Sequence, residues 1–185
     1  MGVTTGAPIF AIVCSVIGIV AGYLLIQWVL RQPEGNERMR DIAGRIQEGA
    51  AAYLNRQYRT VAIVAAVITV LLILVKLGSS NKNDIWQYPL SFLIGATCSA
   101  AAGYIGMNVA VRSNMRTAEG ATHGLNRALQ VAFRGGSVTG LLVVSLGLLG
   151  VSVMYLISGK RPEMLVPLGF GGSLISVVAR LGGGI

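Results

Sequence analysis

The sequence predicts an all-α integral membrane protein with four complete transmembrane helices and most of a fifth. Three observations predict it. Of the 185 residues, 54% are AVILMFWYC and 12% are charged, about half the ~25% charge of a typical soluble domain. The mean hydropathy is +0.68. Uncharged apolar runs long enough to cross a bilayer recur along the chain and are separated by charged connections. A water-facing globular surface cannot be built from so few charges. Ample apolar content without a G-X-Y repeat also excludes disorder and a collagen-like helix. At about 20 residues per crossing, this length supplies only a handful of spans.

The first span is Pro8 to Leu30, 23 residues without a charge. As a helix it is about 34 Å long, enough for a hydrocarbon core of about 30 Å. It lacks the basic n-region and the cleavage site of a signal peptide, and Gly6 stands where a myristoylation signal needs Ser or Thr. The second span, 59–76, has 16 uncharged residues between Arg59 and Lys76, two cations able to snorkel to opposite interfaces. The third, 85–111, opens on Trp86 and Tyr88, aromatics suited to the headgroup level. The fourth is 135–159. The fifth, 164–185, is apolar as far as Arg180 and continues through Leu181, Gly182, Gly183, Gly184 and Ile185.

The connections 31–58 and 112–134 carry Arg31, Arg38, Arg40, Arg45, Arg56, Arg112, Arg116, Arg127 and Arg134, with Arg59 at the boundary. The opposite side has Lys76, Lys82, Lys160 and Arg161. Ten cations against four predict that the N-terminus is outside and both longer connections are cytoplasmic. The net charge of +8 therefore reads as loop bias and not as a nucleic-acid surface. Cys14 and Cys98 lie in apolar runs, where a thiol acts as a small hydrophobe.

Small residues recur at four-residue steps: Gly18 and Gly22 in the first span, Gly95, Ser99 and Gly103 in the third, Gly136 and Gly140 in the fourth. Such stripes let helix backbones approach closely in lipid and predict a tight bundle. Between the first two spans, Met39, Ile42, Ile46, Ala50, Tyr53 and Leu54 recur at helical spacing, so an amphipathic cytoplasmic helix leads into span two. Glu34, Glu37 and Asp41 stand three and four apart, as metal ligands do. However, Glu34 precedes Arg38 by four and Asp41 precedes Arg45 by four, which favours intrahelical ion pairs on a solvated face. The single histidine, His123, has no second His or Cys beside it and reads as a surface residue.

No nucleophile elbow, Walker loop, CxxC or HExxH is present, and Gly169, Gly171 and Gly172 lack the third glycine of a dinucleotide fingerprint. Glycines 182 to 184 would bend a helix and admit another backbone or an anion. Arg180 is the one ionisable residue well along an apolar helix. It either snorkels to the interface or faces the bundle as a buried cation on an ion pathway. None of the seven acids lies in an apolar run, so in the second case its partner comes from elsewhere.

In order along the chain, IAGRIQEGAAAYLNRQYR (42–59), ALQVAFRGGSVTGLLV (128–143) and GFGGSLISVVARLGGGI (169–185) resemble the N-terminal part of the membrane-integral, ion-translocating inorganic pyrophosphatases. That resemblance covers nearly the whole chain and part of a family with roughly sixteen helices. It implies coupling of pyrophosphate hydrolysis to H+ or Na+ export in an energy-transducing or cell membrane, with Mg2+ as cofactor and a homodimer as the assembly. It assigns Arg180 to an ion gate as the partner of acids from other helices. Phe170 is assigned to an apolar constriction on the exit side, and Gly182, Gly183 and Gly184 to backbone near the substrate site.

In this family an acidic Mg-pyrophosphate motif follows such a glycine run, and the sequence stops at Ile185. Hydrolysis of a polyanionic diphosphate needs several carboxylates to hold Mg2+. With Asp41 and Asp84 predicted on opposite sides of the membrane, the expectation is that these 185 residues contain no catalytic or metal-binding residue and do not hydrolyse pyrophosphate alone. The rival readings are a non-catalytic five-helix scaffold and a transporter subunit whose glycine-broken helix lines a site.

Overall fold

The computed structural model describes residues 6–77 and 82–183, with side chains at 82–84, 175 and 177–183 outside that description. Five α-helices follow in order: α1 Gly6–Leu30, α2 Glu37–Lys76, α3 Lys82–Thr122, α4 Leu125–Ile157 and α5 Leu165–Gly183, with a 3-10 turn at Pro162–Met164 before α5. Four of them, α1 to α4, are long and apolar enough to cross a membrane. The fold class expected from composition is therefore observed, and the protein is a multi-pass membrane protein whose immediate partner is the lipid bilayer.

The helices are longer than their apolar runs. α2 has 40 residues and α3 has 41, about 60 Å each, twice the hydrocarbon thickness. The predicted amphipathic helix is continuous with the second span, and most of the connection 112–134 is helix as well. Within these two connections the backbone leaves helical geometry only near 31–36 and 123–124. The end of an apolar run marks the edge of the lipid, whereas a helix ends only where a cap or a turn residue ends it. Between α1 and α2, Gly35 takes a φ of +82°, and the Asn36 side chain accepts the Met39 amide at 2.9 Å to cap α2. Between α3 and α4, Gly124 takes a φ of +123°, a conformation that costs glycine little.

Backbone neighbours give the topology. Gly18 faces Ser145 and Gly22 faces Leu142, so α1 runs antiparallel to α4. Gly106 meets Thr139 and Gly150 meets Cys98, so α4 runs antiparallel to α3. The Tyr58 hydroxyl donates to the Ala100 carbonyl at 3.0 Å and Val61 packs against Ala96, so α2 runs antiparallel to α3. α5 is parallel to α3 in constant register: the Ser91 hydroxyl donates to the Met164 carbonyl, and the Ser99 hydroxyl to the Gly172 carbonyl at 3.0 Å. α3 is thus the axis of the bundle, contacted by all the other helices.

The small-residue prediction holds for α1 and α3. It fails for Gly136 and Gly140, which face open space. On α4 the close contacts are made by Gly135, against Ser113, and by Gly150. Four-residue spacing marks a face that a backbone can approach, but one position of phase decides which glycine the partner meets. The tightest approach is α5 on α3. A Cβ on Gly95 would overlap the Leu168 carbonyl, and one on Gly171 would overlap the Phe92 carbonyl.

Away from these seams the helices present Ile9, Phe10, Ile17, Leu24, Ile63, Val67 and Leu74 outward, as expected where lipid is the solvent. Aromatic residues receive cations at two helix ends. The Arg134 guanidinium lies 3.9 Å from the Trp28 ring centroid, and the Lys76 ammonium 3.9 Å from that of Tyr88.

Gly171→Ala drives a methyl into backbone that cannot give way and costs about 1–3 kcal/mol, read as a lower thermal midpoint of the purified chain in detergent. Gly136→Ala, with nothing within 4 Å, does not lower the midpoint and raises it slightly through the higher helix propensity of Ala. An equal drop for both would show that the α3–α5 seam is not responsible, since the higher helix propensity of Ala acts in the opposite direction.

Candidate functional site

The sequence-derived site residues other than Gly184 belong to α5, so its placement decides their geometry. Four contacts hold it and the turn before it on α3: the Ser91 bond to the Met164 carbonyl, the Ser99 bond to the Gly172 carbonyl, and the glycine contacts of Gly95 and Gly171. At its start, Met154, Met164 and Leu168 form a buried apolar cluster. Phe170 is half exposed, and its ring lies tilted against Phe92 with centroids 6.1 Å apart. Arg180, Gly182 and Gly183 are on the last turns of α5; their side-chain surroundings, and Gly184 with Ile185 altogether, lie outside the described residues.

A cleft of about 590 Å³ opens between α3, α4 and α5. It is mainly apolar, and its α5 wall is Gly169, Gly172, Ser173 and Ser176. On the α3 side, Gly95, Ser99 and Gly103 share the stripe seen in sequence. Ser99 spends its hydroxyl on the Gly172 carbonyl. The Tyr58 hydroxyl at the cleft's edge is held by the Ala100 carbonyl. No charged side chain is among the described residues of the lining.

The principal charged feature is elsewhere, where the sequence reading did not place it. Arg116, on the extension of α3, is 6% exposed. Its Nη2 donates to Glu34 Oε1 at 2.8 Å and to the Leu30 carbonyl at 3.1 Å, while Nη1 donates to the Arg112 carbonyl at 2.7 Å. The cation therefore sits at the C-terminus of α1, where unpaired carbonyls favour positive charge. It also closes the 30–36 connection against α3. Glu119, one turn further, lies beside Gly35 and within 3.4 Å of His123.

Two expectations about charge divide here. Asp41 pairs with Arg45 at 3.1 Å, as the i,i+4 spacing predicts. Glu34 pairs with Arg116 and not with Arg38, because α2 begins at Glu37 and Glu34 is not on the same helix as Arg38. The signal available in sequence was Pro33 and Gly35 on either side of Glu34, a turn signature that removes it from any helical face. His123 is half exposed, as a surface residue should be. Cys14 and Cys98 are free thiols.

Mg2+ asks for several oxygen ligands in an octahedral shell. Among the described residues no three His, Cys, Asp or Glu side chains gather to supply them. The carboxylates of Asp41, Glu34 and Glu163 each face an arginine, and that of Glu119 faces His123. The described residues do not make a cage for that ion.

Comparison with known proteins places these features in a family. A family model described as inorganic H+ pyrophosphatase matches residues 16–185. A K(+)-insensitive pyrophosphate-energized proton pump of Methanosarcina mazei is 51% identical over 157 residues, covering 85% of this chain and 22% of the relative. A pump of the same name from Caldanaerobacter subterraneus is 43% identical over 178 residues, 87% of this chain and 25% of its own length. A Clostridium tetani relative, named for a K(+)-stimulated pyrophosphate-energized sodium pump, is 40% identical over 177 residues, 96% of this chain and 25% of its own. The chain thus spans about a quarter of the length of the curated relatives it matches.

Arg116→Met strands the Glu34 carboxylate and the Leu30 carbonyl. It costs on the order of 2–3 kcal/mol, below the usual cost of breaking a fully buried pair because Glu34 remains partly solvated. The double variant R116M/E34M recovers part of that loss, as a coupled pair requires. Thermal unfolding of the four chains measures both; strictly additive losses would show that the two residues act separately.

Proposed function

The chain belongs to the inorganic H+ pyrophosphatase family, and from that premise we propose that it forms the N-terminal quarter of a pump that couples pyrophosphate hydrolysis to export of H+ or Na+. The single observation that carries this reading is the match of residues 16–185 to the family, supported by relatives named for that activity at 40–51% identity. Pyrophosphate and Mg2+ are bound by parts of the complete protein beyond these residues. The complete protein works as a homodimer.

In this reading the N-terminus is outside, and the joint projection of α2, α3 and α4 beyond their apolar runs is cytoplasmic, in accord with ten cations against four. The part played by this chain is to position α5. The constant register of α5 on α3 carries position 180 to the level of Met107. That level is five residues, about 7.5 Å, short of Arg112 and still within the apolar run of α3. Position 180 also repeats the helical phase of the cleft-wall residues Gly169, Ser173 and Ser176.

A cation at that depth needs a carboxylate partner, which another helix of the complete pump provides. Arg180 then holds the charge balance of the ion gate, and its exchange of partners follows the passage of the ion. Phe170 is ten residues earlier, about 15 Å toward the exit side. Together with Phe92 it forms an apolar constriction there that water and ions cross only when it opens. Gly182, Gly183 and Gly184 bring backbone amides toward the pyrophosphate, where side chains would keep the anion at a distance.

Replacing the corresponding quarter of the Methanosarcina mazei pump with this chain gives a chimaera that acidifies inverted vesicles when pyrophosphate is added. Arg180→Ala in that chimaera abolishes acidification while insertion and expression stay at the parental level. Phe170→Ala loosens coupling, so that hydrolysis continues with less acidification. A chimaera that inserts but never pumps, or one indifferent to Arg180→Ala, would overturn the proposal. The isolated 185 residues release phosphate from Mg-pyrophosphate no faster than buffer does.

A further inference from the structure

α2 has two opposed faces. Leu54, Val61 and Ala65 are buried against the bundle, and Tyr58 joins them through its bond to α3. On the other side Arg56, Arg59 and Thr60 are exposed, followed in the same helical phase by Ile63, Val67, Val70 and Leu74, each more than half exposed. A notch of about 480 Å³ among Asn55, Arg56, Arg59, Thr60 and Ile63 lies where the cationic part of this face gives way to the apolar part.

The chemistry of the notch is unbalanced. From residue 49 to residue 83 the sequence contains no Asp or Glu, so α2 offers these arginines no carboxylate from its own neighbouring turns. α3, which packs behind them, carries its described acid at Glu119, beside Gly35 at the far end of the extension, and α5 has none. Among the described residues neither guanidinium makes an ion pair. Arg45, by contrast, has Asp41.

We propose that Arg56 and Arg59 bind the phosphate of an anionic phospholipid, of the phosphatidylglycerol class, at the edge of the bilayer. Two guanidiniums three residues apart present planar donors matched to phosphate oxygens. Asn55 adds an amide donor. The stripe from Ile63 to Leu74 is about 16 Å long, close to the roughly 15 Å depth of one leaflet, and covers the acyl chains of the same molecule. Charge complementarity favours this occupant over a protein helix, which would bury two cations and have to supply its own acids. The site lies at the start of the apolar run, so it does not depend on which side of the membrane that end faces.

The test uses the purified 185-residue chain in nanodiscs of mixed phosphatidylcholine and phosphatidylglycerol, followed by mild delipidation and mass spectrometry of the retained lipid. The native chain is expected to retain phosphatidylglycerol over phosphatidylcholine. R56Q/R59Q is expected to lose that preference, about fivefold for each arginine, while R38Q/R40Q, earlier on the same helix, keeps it. Inorganic phosphate should not displace the lipid, because the acyl chains contribute to binding.

Equal retention of the two lipids by the native chain, equal losses in both double variants, or displacement by inorganic phosphate would each overturn the proposal. If R56Q/R59Q does not fold, the native chain is treated with a guanidine-directed dicarbonyl reagent. Protection of Arg56 and Arg59 in phosphatidylglycerol nanodiscs but not in phosphatidylcholine supports the site, and equal labelling in the two refutes it.

Discussion

How closely another backbone can approach α3 governs the rest of this structure. In lipid no water is released when apolar helices meet, so association depends on packing contacts and on hydrogen bonds between helices. α3 supplies both on different faces. Gly95 and Ser99 receive α5, Gly103 and Ala100 receive the Tyr58 hydroxyl of α2, and Gly106 receives Thr139 of α4. α1 is attached mainly through α4, by way of Gly18 and Gly22. A side chain larger than Gly at the α3–α5 seam would push α5 outward and shift every group it carries, including Arg180.

Outside the apolar runs a different physics applies. There the helices continue into water-accessible space, and charge can be used for positioning. Arg116 neutralises the carbonyl end of α1, pairs with Glu34 and fixes a connection of six residues between two long helices. A buried ion pair adds little net stability, but removing one partner is costly. The pair therefore serves as a register device, setting α1 and α2 relative to α3 at the end where all three leave the bilayer.

Much of this was legible in the sequence because the bilayer simplifies the problem. Apolar run length gives the number of crossings, and the i,i+4 order of Asp41 and Arg45 gives a pair confined to one helix. The illegible parts depend on relations between helices. Gly136 and Gly140 have the spacing of a contact face yet meet nothing, while Gly135 and Gly150 meet α3; rotation of α4 about its own axis selects between them. Glu34 finds a partner 82 residues away, and no local pattern announces it. The helical extensions beyond the apolar runs were underestimated because hydropathy reports solvent, not backbone conformation.

By itself the sequence determined the membrane class, the order of the spans, the amphipathic lead into α2 and, through the motifs ending in ARLGGGI, the family. Each of these depends on local composition or on residues close together in the chain. Tertiary structure decided that α3 is the axis, that α5 lies parallel to it in a fixed register, that Arg116 is buried, and that the Arg56 and Arg59 face points away from the bundle. Those outcomes follow from the relative rotation and depth of whole helices, which are set by close contacts between residues far apart in sequence.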